Sequence, residues 1–243
     1  MNVWAITDQG KVRPQNQDAY RVEELGDDQL LLMVCDGMGG ARAGNVASQL
    51  AVRVFGDTVL DGLGGPEGSA DPEALLNHAV EQADRAVSER AESDPDCLGM
   101  GTTLVAALVL NGKCRVVNIG DSRAYLVSEE GIRQITRDHS LVEDLVQRGE
   151  ITHDQARFHP QKNLITRALG AGEEAKADLY EVPCAPGSFL LLCSDGLSNV
   201  VDDQELLYEI IHGGEPDDCC QRLLDTVLSR GAPDNMTAVL LRM

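Results

Sequence analysis

Asn111 and Gly112 stand between two short apolar runs, and no other feature restricts the fold of this chain so strongly. The runs are Leu104–Leu110 and residues 115–119. An Asn-Gly pair favours the tight hairpin turn in which both central residues take a positive φ angle. Strands joined by such a turn are antiparallel. We therefore expect an antiparallel sheet in the middle of the chain.

Further apolar runs rich in Val and Leu predict more buried strands. They lie at 30–35, 124–127, Phe189–Cys193 and 237–241. Apolar residues at helical spacing predict helices over 46–55, 75–87, Asp203–Ile211 and 216–229, while 62–71 and 150–175 are expected to be loops. Helix pairs that alternate with antiparallel strands favour one domain in which helices cover layered sheets.

The acidic composition excludes several kinds of partner. The chain has a formal net charge of −20 at pH 7. Nucleic acids and anionic membranes are bound by basic faces, so neither partner is expected. Seven Cys residues without a C-x-x-C pair favour a reduced, cytoplasmic setting. No signal peptide is visible, and no apolar run is long enough to cross a bilayer.

Several common reaction centres have no counterpart in the sequence. There is no G-x-x-x-x-G-K-[ST] phosphate loop, no G-x-S-x-G nucleophile elbow and no H-E-x-x-H zinc helix. The five His residues show no ligand-like spacing. The loop of the cysteine-based phosphatases is also missing, because no Cys is followed by Arg at the distance which that loop requires.

Aspartates at the ends of apolar runs give the clearest indication of chemistry. They are Asp18, Asp36, Asp121, Asp195 and Asp234. A single Asp-Gly after a strand is usually a turn. Several acidic strand ends without basic neighbours would, however, repel one another if they met in one cleft. Divalent cations relieve such repulsion, and all-oxygen ligands suit Mg²⁺ or Mn²⁺ better than Zn²⁺ or Cu²⁺.

Residues beside these aspartates fit the same kind of site. Gly37 follows Asp36 and lets the backbone approach an ion closely. Arg13 precedes Asp18, and its planar guanidinium can bind a phosphate at two points. Taken alone, Arg13 is an ordinary surface charge.

Eight different short motifs follow one another along nearly the whole chain. They are R-x-x-N-Q-D ending at Asp18, V-C-D-G-M-G-G around Asp36, G-T-T at 101–103, N-I-G-D-S-R-A-Y around Asp121, T-R-D-H-S at 136–140, the segment 164–170, C-S-D-G-L-S around Asp195, and D-N-M-T from Asp234. This order resembles that of the PP2C, or PPM, metal-dependent protein serine/threonine phosphatases, and in particular their compact bacterial members.

The resemblance implies an α+β fold, a four-layer αββα sandwich of two antiparallel sheets flanked by helix pairs. Residues 1–243 would form a single catalytic domain with a flap at about 140–172. The implied cofactors are two core Mn²⁺ or Mg²⁺ ions and a weaker third. Their implied ligands are Asp36 as the bridge, Asp195 and Asp234 at one ion, Asp18 and the Gly37 carbonyl at the other, and Asp121 at the third.

The implied activity is hydrolysis of phosphoserine and phosphothreonine on proteins by a metal-bound hydroxide, with Arg13 holding the phosphate and Asp36 central to catalysis. The expected partners are phosphorylated proteins and a cognate eukaryotic-like Ser/Thr kinase, which the enzyme opposes. The chain is expected to be a cytoplasmic monomer that binds neither nucleic acid nor membranes.

Two departures from the family pattern affect the expected mechanism. Met38 stands where many eukaryotic relatives carry His as the general acid, and Met has no proton to give. Asn199 stands where some relatives place an acidic ligand, so the third ion should bind weakly. Two alternatives stay open: a regulator that dephosphorylates anti-sigma antagonists, and a pseudophosphatase that binds phosphoproteins without turnover.

Overall fold

Two antiparallel sheets form the centre of the protein. The computed structural model describes residues 1–26, 29–40, 43–64, 71–172 and 175–243. The first sheet contains, in spatial order, β1 (Asn2–Asp8), β11 (Met236–Arg242), β10 (Phe189–Cys193), β7 (Arg123–Ser128) and β8 (Gly131–Gln134). The second contains β2 (Asp18–Gly26), β3 (Gln29–Met38), β5 (Leu104–Leu110), β6 (Lys113–Ile119) and β9 (Asp178–Val182), and the short β4 (Gly101–Thr102) pairs with β3.

The hairpin predicted from Asn111 and Gly112 is confirmed. Their φ angles are 53° and 73°, both in the left-handed region that this turn requires. Leu110 pairs with Lys113 across the turn, and β5 and β6 continue antiparallel from there. The local chemistry of two residues therefore sets the direction of two central strands.

Helices cover the outer face of each sheet. The helices α1 (Ala43–Gly64) and α2 (Pro72–Ser93) pack on the second sheet, while α6 (Asp203–Ile211) and α7 (Cys219–Ser229) pack on the first. Alternate residues of β3 explain the layering, since Leu31 and Met33 face the helices while Leu32 and Val34 face the other sheet. The predicted αββα order is thus confirmed.

Some predicted boundaries were wrong. The loop expected at 62–71 begins later, because α1 continues to Gly64. A side chain at Gly62 would collide with Leu75 of α2, so this glycine permits close helix packing instead of a turn. Residues 65–70 of that expected loop lie outside the described residues. The helix expected at 216–229 starts with a 3₁₀ turn at Pro216–Asp218, and α7 begins only at Cys219.

Residues 140–172, called the flap segment below, contain two short helices. These are α3 (Leu141–Gln147) and α4 (His153–Arg157), so the prediction of an irregular loop at 150–175 was wrong for α4. Two hydrogen bonds stabilise the start of α4. The N–H of Thr152 donates to the side chain of Gln155, and the N–H of Gln155 donates to the side chain of Thr152. Ser140 pairs with Ile165, and Leu169 pairs with Thr102 of β4. The flap segment is therefore closed on itself and attached to the second sheet.

A last short helix, α5 (Asp195–Ser198), follows β10 directly. Within the described ranges, none of the helices combines the length and the apolar character needed to cross a membrane.

Candidate active site

A cleft of about 210 Å³ lies where ends of both sheets meet the flap segment. It is lined by Arg13, Gln17, Asp36, Gly37, Met38, Gly39, Thr103, Asp121, Asn163, Ile165, Asp195, Asp234 and Asn235. Every site residue predicted from the sequence is in this set except Asp18. The fold therefore gathers residues from both ends and the middle of the chain at one place.

Asp36 is held by its backbone on both sides. Its N–H donates to the hydroxyl of Thr103 at 2.8 Å, and its carbonyl accepts from the Thr103 N–H at 2.9 Å. The next residue, Gly37, donates its N–H to the carbonyl of Gln17 at 3.1 Å. A side chain at Gly37 would collide with the backbone of Gly44 in the first turn of α1, so only glycine fits there.

Asp18 lies beside the cleft wall, where it pairs in register with Asp36 across β2 and β3. It is 7% exposed, and its Oδ2 accepts a hydrogen bond from the hydroxyl of Ser194 at 2.7 Å. Its Oδ1 is buried and has no hydrogen-bond partner among the described residues. Burial raises the pKa of Asp18 to about 7.

Asp195 is the first residue of α5 and extends the end of β10 into the cleft. Its Oδ2 accepts from the side-chain amide of Asn199 at 2.9 Å, while its buried Oδ1 has no partner in the described part of the chain. Burial and, next, the charge of Asp234 raise its pKa, although a side-chain hydrogen bond with Asp36 opposes this shift. Asn199, which was predicted to weaken a third ion site, thus contacts the metal-site candidate Asp195.

Asn235 links the two ends of the chain at the cleft. Its Oδ1 accepts from the N–H of Gln17, and its Nδ2 donates to the carbonyls of Gln9 and Gln15 at 2.7 and 3.0 Å. This role was missed from the sequence, although Asn235 stands inside the D-N-M-T motif. The sequence did hold a signal for this role, because Asn235 is an amide between a candidate ligand and an apolar run. A polar side chain at such a place is expected to be buried and to need hydrogen-bond partners.

Asp121 lies in the turn after β6 and faces the same cleft as Asp36, as its position after an apolar run predicted. The preceding Gly120 has φ of 101°, and a Cβ there would lie 2.5 Å from Cγ2 of Thr103. Burial and, next, the charge of Asp195 raise the pKa of Asp121 to about 8.

Burial and, next, repulsion between neighbouring carboxylates shape the electrostatics of the cleft. The pKa of Asp36 lies well above its usual range because of burial and because of the charges of its acidic neighbours, which are Asp18, Asp195, Asp121 and Asp234. Arg13 is the one basic residue among the described lining residues. The group is a set of neighbouring carboxylates, of which Asp18 is buried and the others are half-buried, with too few cations among the side chains.

These residues fit divalent cations that keep part of their water shell. Although four Asp residues line the cleft, no three Asp, Glu, His or Cys side chains in the described part of the chain are placed so that they could hold a metal ion by themselves. Mg²⁺ needs no such cluster, because it usually binds through one or two carboxylates and several waters. The unpartnered Oδ1 atoms of Asp18 and Asp195 are oxygen donors of the kind that such hard cations take.

Comparison with known proteins identifies the family. The model of the family described as protein phosphatase 2C matches residues 11–240. The chain belongs to the protein phosphatase 2C family. This confirms both the resemblance drawn from the motifs and the assignment as a protein phosphatase enzyme.

Named relatives of this phosphatase 2C chain cover it almost completely. It is 38% identical over 234 residues to the serine/threonine phosphatase stp of Listeria monocytogenes, covering 96% of this chain and 92% of the relative. The crystal structure of the Mycobacterium tuberculosis serine/threonine phosphatase PstP/Ppp superposes with a TM-score of 0.88 at 38% identity, covering 100% of this chain and 98% of that one.

A further structure, the catalytic domain of PstP in complex with two manganese ions, superposes with a TM-score of 0.82 at 38% identity. It covers 98% of this chain and 96% of that chain. The four-layer fold of this chain is thus the fold of serine/threonine phosphatases.

Proposed function

We propose that this chain hydrolyses phosphoserine and phosphothreonine on proteins with the help of Mn²⁺ or Mg²⁺. The observation that carries the proposal is the convergence of Asp36, Asp121, Asp195 and Asp234 on one cleft together with Arg13. The manganese ions in the related PstP catalytic domain support it, since that chain covers nearly all of this one.

We assign the core ions to Asp36 as the bridging group, Asp195 and Asp234 on one side, and Asp18 with the Gly37 carbonyl on the other. Asp121 would bind a weaker third ion. Divalent cations, when bound, lower the pKa of a coordinated water and neutralise charge on a phosphoryl group. They would also restore the carboxylates to their ionised form, because opposite charges stabilise it.

Arg13 is placed to bind the phosphate of the substrate. It lines the cleft, and its side chain is 49% exposed, so its guanidinium can turn towards a ligand. A guanidinium binds two phosphoryl oxygens at once, which orients phosphorus for in-line attack. Arg13 thereby positions the substrate and stabilises the oxygens as their charge shifts.

Met38 lines the cleft without any group that can donate a proton. The seryl oxygen that leaves phosphorus must nevertheless be protonated. The proton must then come from water at the open side of the cleft or from another side chain. We therefore propose that turnover of phosphoserine depends on how water is held near Asp121.

The alternatives are less well supported. A pseudophosphatase would not need the complete set of acidic lining residues that this chain retains. The anti-sigma regulator branch tends to lack the motif from Arg13 to Asp18 and a long flap, and this chain has both. We further propose a single catalytic domain over 1–243, a cytoplasmic monomer, and a cognate Ser/Thr kinase as its counterpart.

A phosphate-release assay tests the proposed function. The protein is incubated with a phosphoserine peptide and Mn²⁺, with Asp36→Ala as the inactive control. Release of phosphate by the wild type alone is expected. Tight binding of the peptide without any release of phosphate would show that the chain is a phosphoprotein-binding module and not an active phosphatase.

A further inference from the structure

His139 is a buried histidine outside the acidic cluster, and it contacts the turn that carries Asp121. It is 5% exposed and lies between β8 and α3, directly before the flap segment. Nδ1 of its ring faces the backbone of Gly120, and Nε2 faces the carboxylate of Asp178 and the guanidinium of Arg167.

Both backbone polar groups of Gly120 are bound by His139. The N–H of Gly120 donates to Nδ1 of His139 at 3.2 Å, and the N–H of His139 donates to the carbonyl of Gly120 at 2.9 Å. Gly120 has no side chain with which to fix its own turn, and its φ of 101° is held by its surroundings. Nδ2 of Asn118 also donates to the Gly120 carbonyl, at 3.3 Å, so among the described residues the N–H of Gly120 alone depends on His139 as its single partner. The two bonds from His139 thus help to set the direction in which Asp121 leaves β6.

The acceptor role of Nδ1 fixes the tautomer of the ring. An Nδ1 that accepts carries no proton, so the neutral ring carries its proton on Nε2. Nε2 lies 3.1 Å from Oδ2 of Asp178 and 3.2 Å from Nη1 of Arg167. A protonated Nε2 donates to the Asp178 carboxylate and accepts nothing from Arg167, which is also a donor. Burial lowers the pKa of His139, although the hydrogen bond to Asp178 opposes this, and the ring is neutral near pH 7.

The returning end of the flap segment binds the same pair. Arg167 donates from its guanidinium to Oδ1 of Asp178 at 3.1 Å, and the N–H of Thr166 donates to the carbonyl of His139 at 2.8 Å. Asp178 thus joins His139 to Arg167 by accepting hydrogen bonds on both of its oxygens. A continuous series of hydrogen bonds runs from the flap segment to Gly120.

We propose that His139 is a positioning residue that orients Asp121, and that Asp178 and Arg167 hold its ring in the required tautomer. The base of the flap segment and the turn carrying Asp121 then move as one unit. The inference rests on the proposed function, because Asp121 matters as an ion ligand only there.

Two amide substitutions separate positioning from simple filling of the core. In His139→Asn, Oδ1 can occupy the place of Nδ1 and accept from Gly120. In His139→Gln, the longer amide reaches towards Asp178 and leaves the Gly120 N–H without its acceptor. His78→Gln serves as the control, since His78 is an exposed residue of α2.

The first measurement is hydrogen exchange of the Gly120 amide in the metal-free protein. His139→Asn and His78→Gln should keep the protection of this amide, and His139→Gln should reduce it about 2- to 10-fold, the range that one net hydrogen bond supplies. Equal protection in His139→Asn and His139→Gln would overturn the inference. This readout needs no ion and stays valid if the proposed function fails.

The second measurement is calorimetric titration with Mn²⁺. His139→Gln should weaken the weakest Mn²⁺ site by about 2- to 10-fold and leave the tighter sites unchanged, while His139→Asn should match the wild type. Loss of all sites together would instead indicate general unfolding and would contradict a positioning role. A wild type that binds no Mn²⁺ would defeat the proposed function and leave the exchange result standing.

Substitutions at Asp178 give an independent check if the His139 variants fold poorly. Asp178→Asn keeps an oxygen that can accept from Nε2, and Asp178→Ala keeps none. Faster exchange of the Gly120 amide in Asp178→Ala only is expected. Equal exchange in both variants would show that Asp178 does not control the ring.

Discussion

Arg13 donates a 2.6 Å hydrogen bond to Oδ2 of Asp234, a residue 221 positions further along the chain. The two side chains are 49% and 26% exposed, so the pair lies at the mouth of the cleft. An ion pair this exposed is worth about 0–1 kcal/mol. A phosphate can therefore displace Asp234 from Arg13 at small cost, which leaves Asp234 free to bind a cation.

Arg13→Ala is expected to raise KM for a phosphoserine peptide more than it lowers kcat. In the proposed function Arg13 binds the phosphoryl oxygens but does not activate water, so much of its contribution would be made in the ground state as well. Arg13→Lys should lie between wild type and Arg13→Ala, because a lysine ammonium lacks the two-point geometry. Steady-state kinetics of the three proteins check this prediction. Equal kcat and KM in all three would show that Arg13 is an ordinary surface charge that does not contact the phosphate.

Removal of divalent cations should abolish activity. Burial and, next, the charges of its acidic neighbours raise the pKa of Asp36, and Arg13 is the one basic residue among the described lining residues. EDTA followed by Mn²⁺ should remove and then restore phosphate release. Full activity in metal-free buffer would exclude the proposed mechanism.

Asp36→Ala and Asp195→Ala should each leave less than about a tenth of the wild-type kcat, since tenfold corresponds to only ~1.4 kcal/mol. Both residues are assigned as direct ligands, and Asp36 is the assigned bridge. Glu89→Gln removes an exposed acidic charge from α2 and should be unchanged. Circular dichroism of each variant shows whether the fold is intact, and a folded Asp36→Ala with near-normal kcat would refute the assignment.

Asp121→Ala should slow phosphoserine hydrolysis more than hydrolysis of p-nitrophenyl phosphate. The phenolate leaving group needs little protonation, whereas the seryl oxygen needs a proton that Met38 cannot give. Mn²⁺ titration should show that the two tighter sites are kept. If Asp121 only stabilises the turn before Ser122, both substrates should suffer equally or not at all, and comparison of kcat for the two substrates decides.

Glu205→Gln should lower stability near neutral pH by less than ~1 kcal/mol, because the ion pair with Arg230 is about 40% exposed. The side chain of Arg230 and, next, the N–H of Asp202 lower the pKa of Glu205 to about 2, from an ordinary value of 4.5. A lowered folded pKa means that the contribution is present above pH 4.5 and is lost as the pH falls towards 2.

Gln at this position can keep the hydrogen bond from the N–H of Asp202, which lies 3.1 Å from Oε2 of Glu205. The difference from wild type in urea unfolding should therefore shrink as the pH falls from 4.5 towards about 2, the two pKa values of Glu205. A difference that stayed constant with pH would show that the charge of Glu205 is not its source.

Local patterns predicted most of the buried strands well. The limits of β5 and β10 were predicted correctly, since both strands are apolar on both faces. The edge strands β1, β8 and β9 were not predicted, because they are only partly buried and lack a continuous apolar run. Helix limits failed where a glycine serves packing, as Gly62 does against Leu75.

The sequence by itself determined the fold class, the family and the set of acidic residues that line the cleft. Strand ends, turns and helix faces are encoded in residues close together in the chain, while the family and its four-layer fold followed from the resemblance carried by the ordered motifs. Only the tertiary structure decided which partners these residues meet, such as Asp234 for Arg13 and Asp178 for His139. Those contacts join positions far apart in sequence, and their geometry depends on how the layers pack, which no local pattern records.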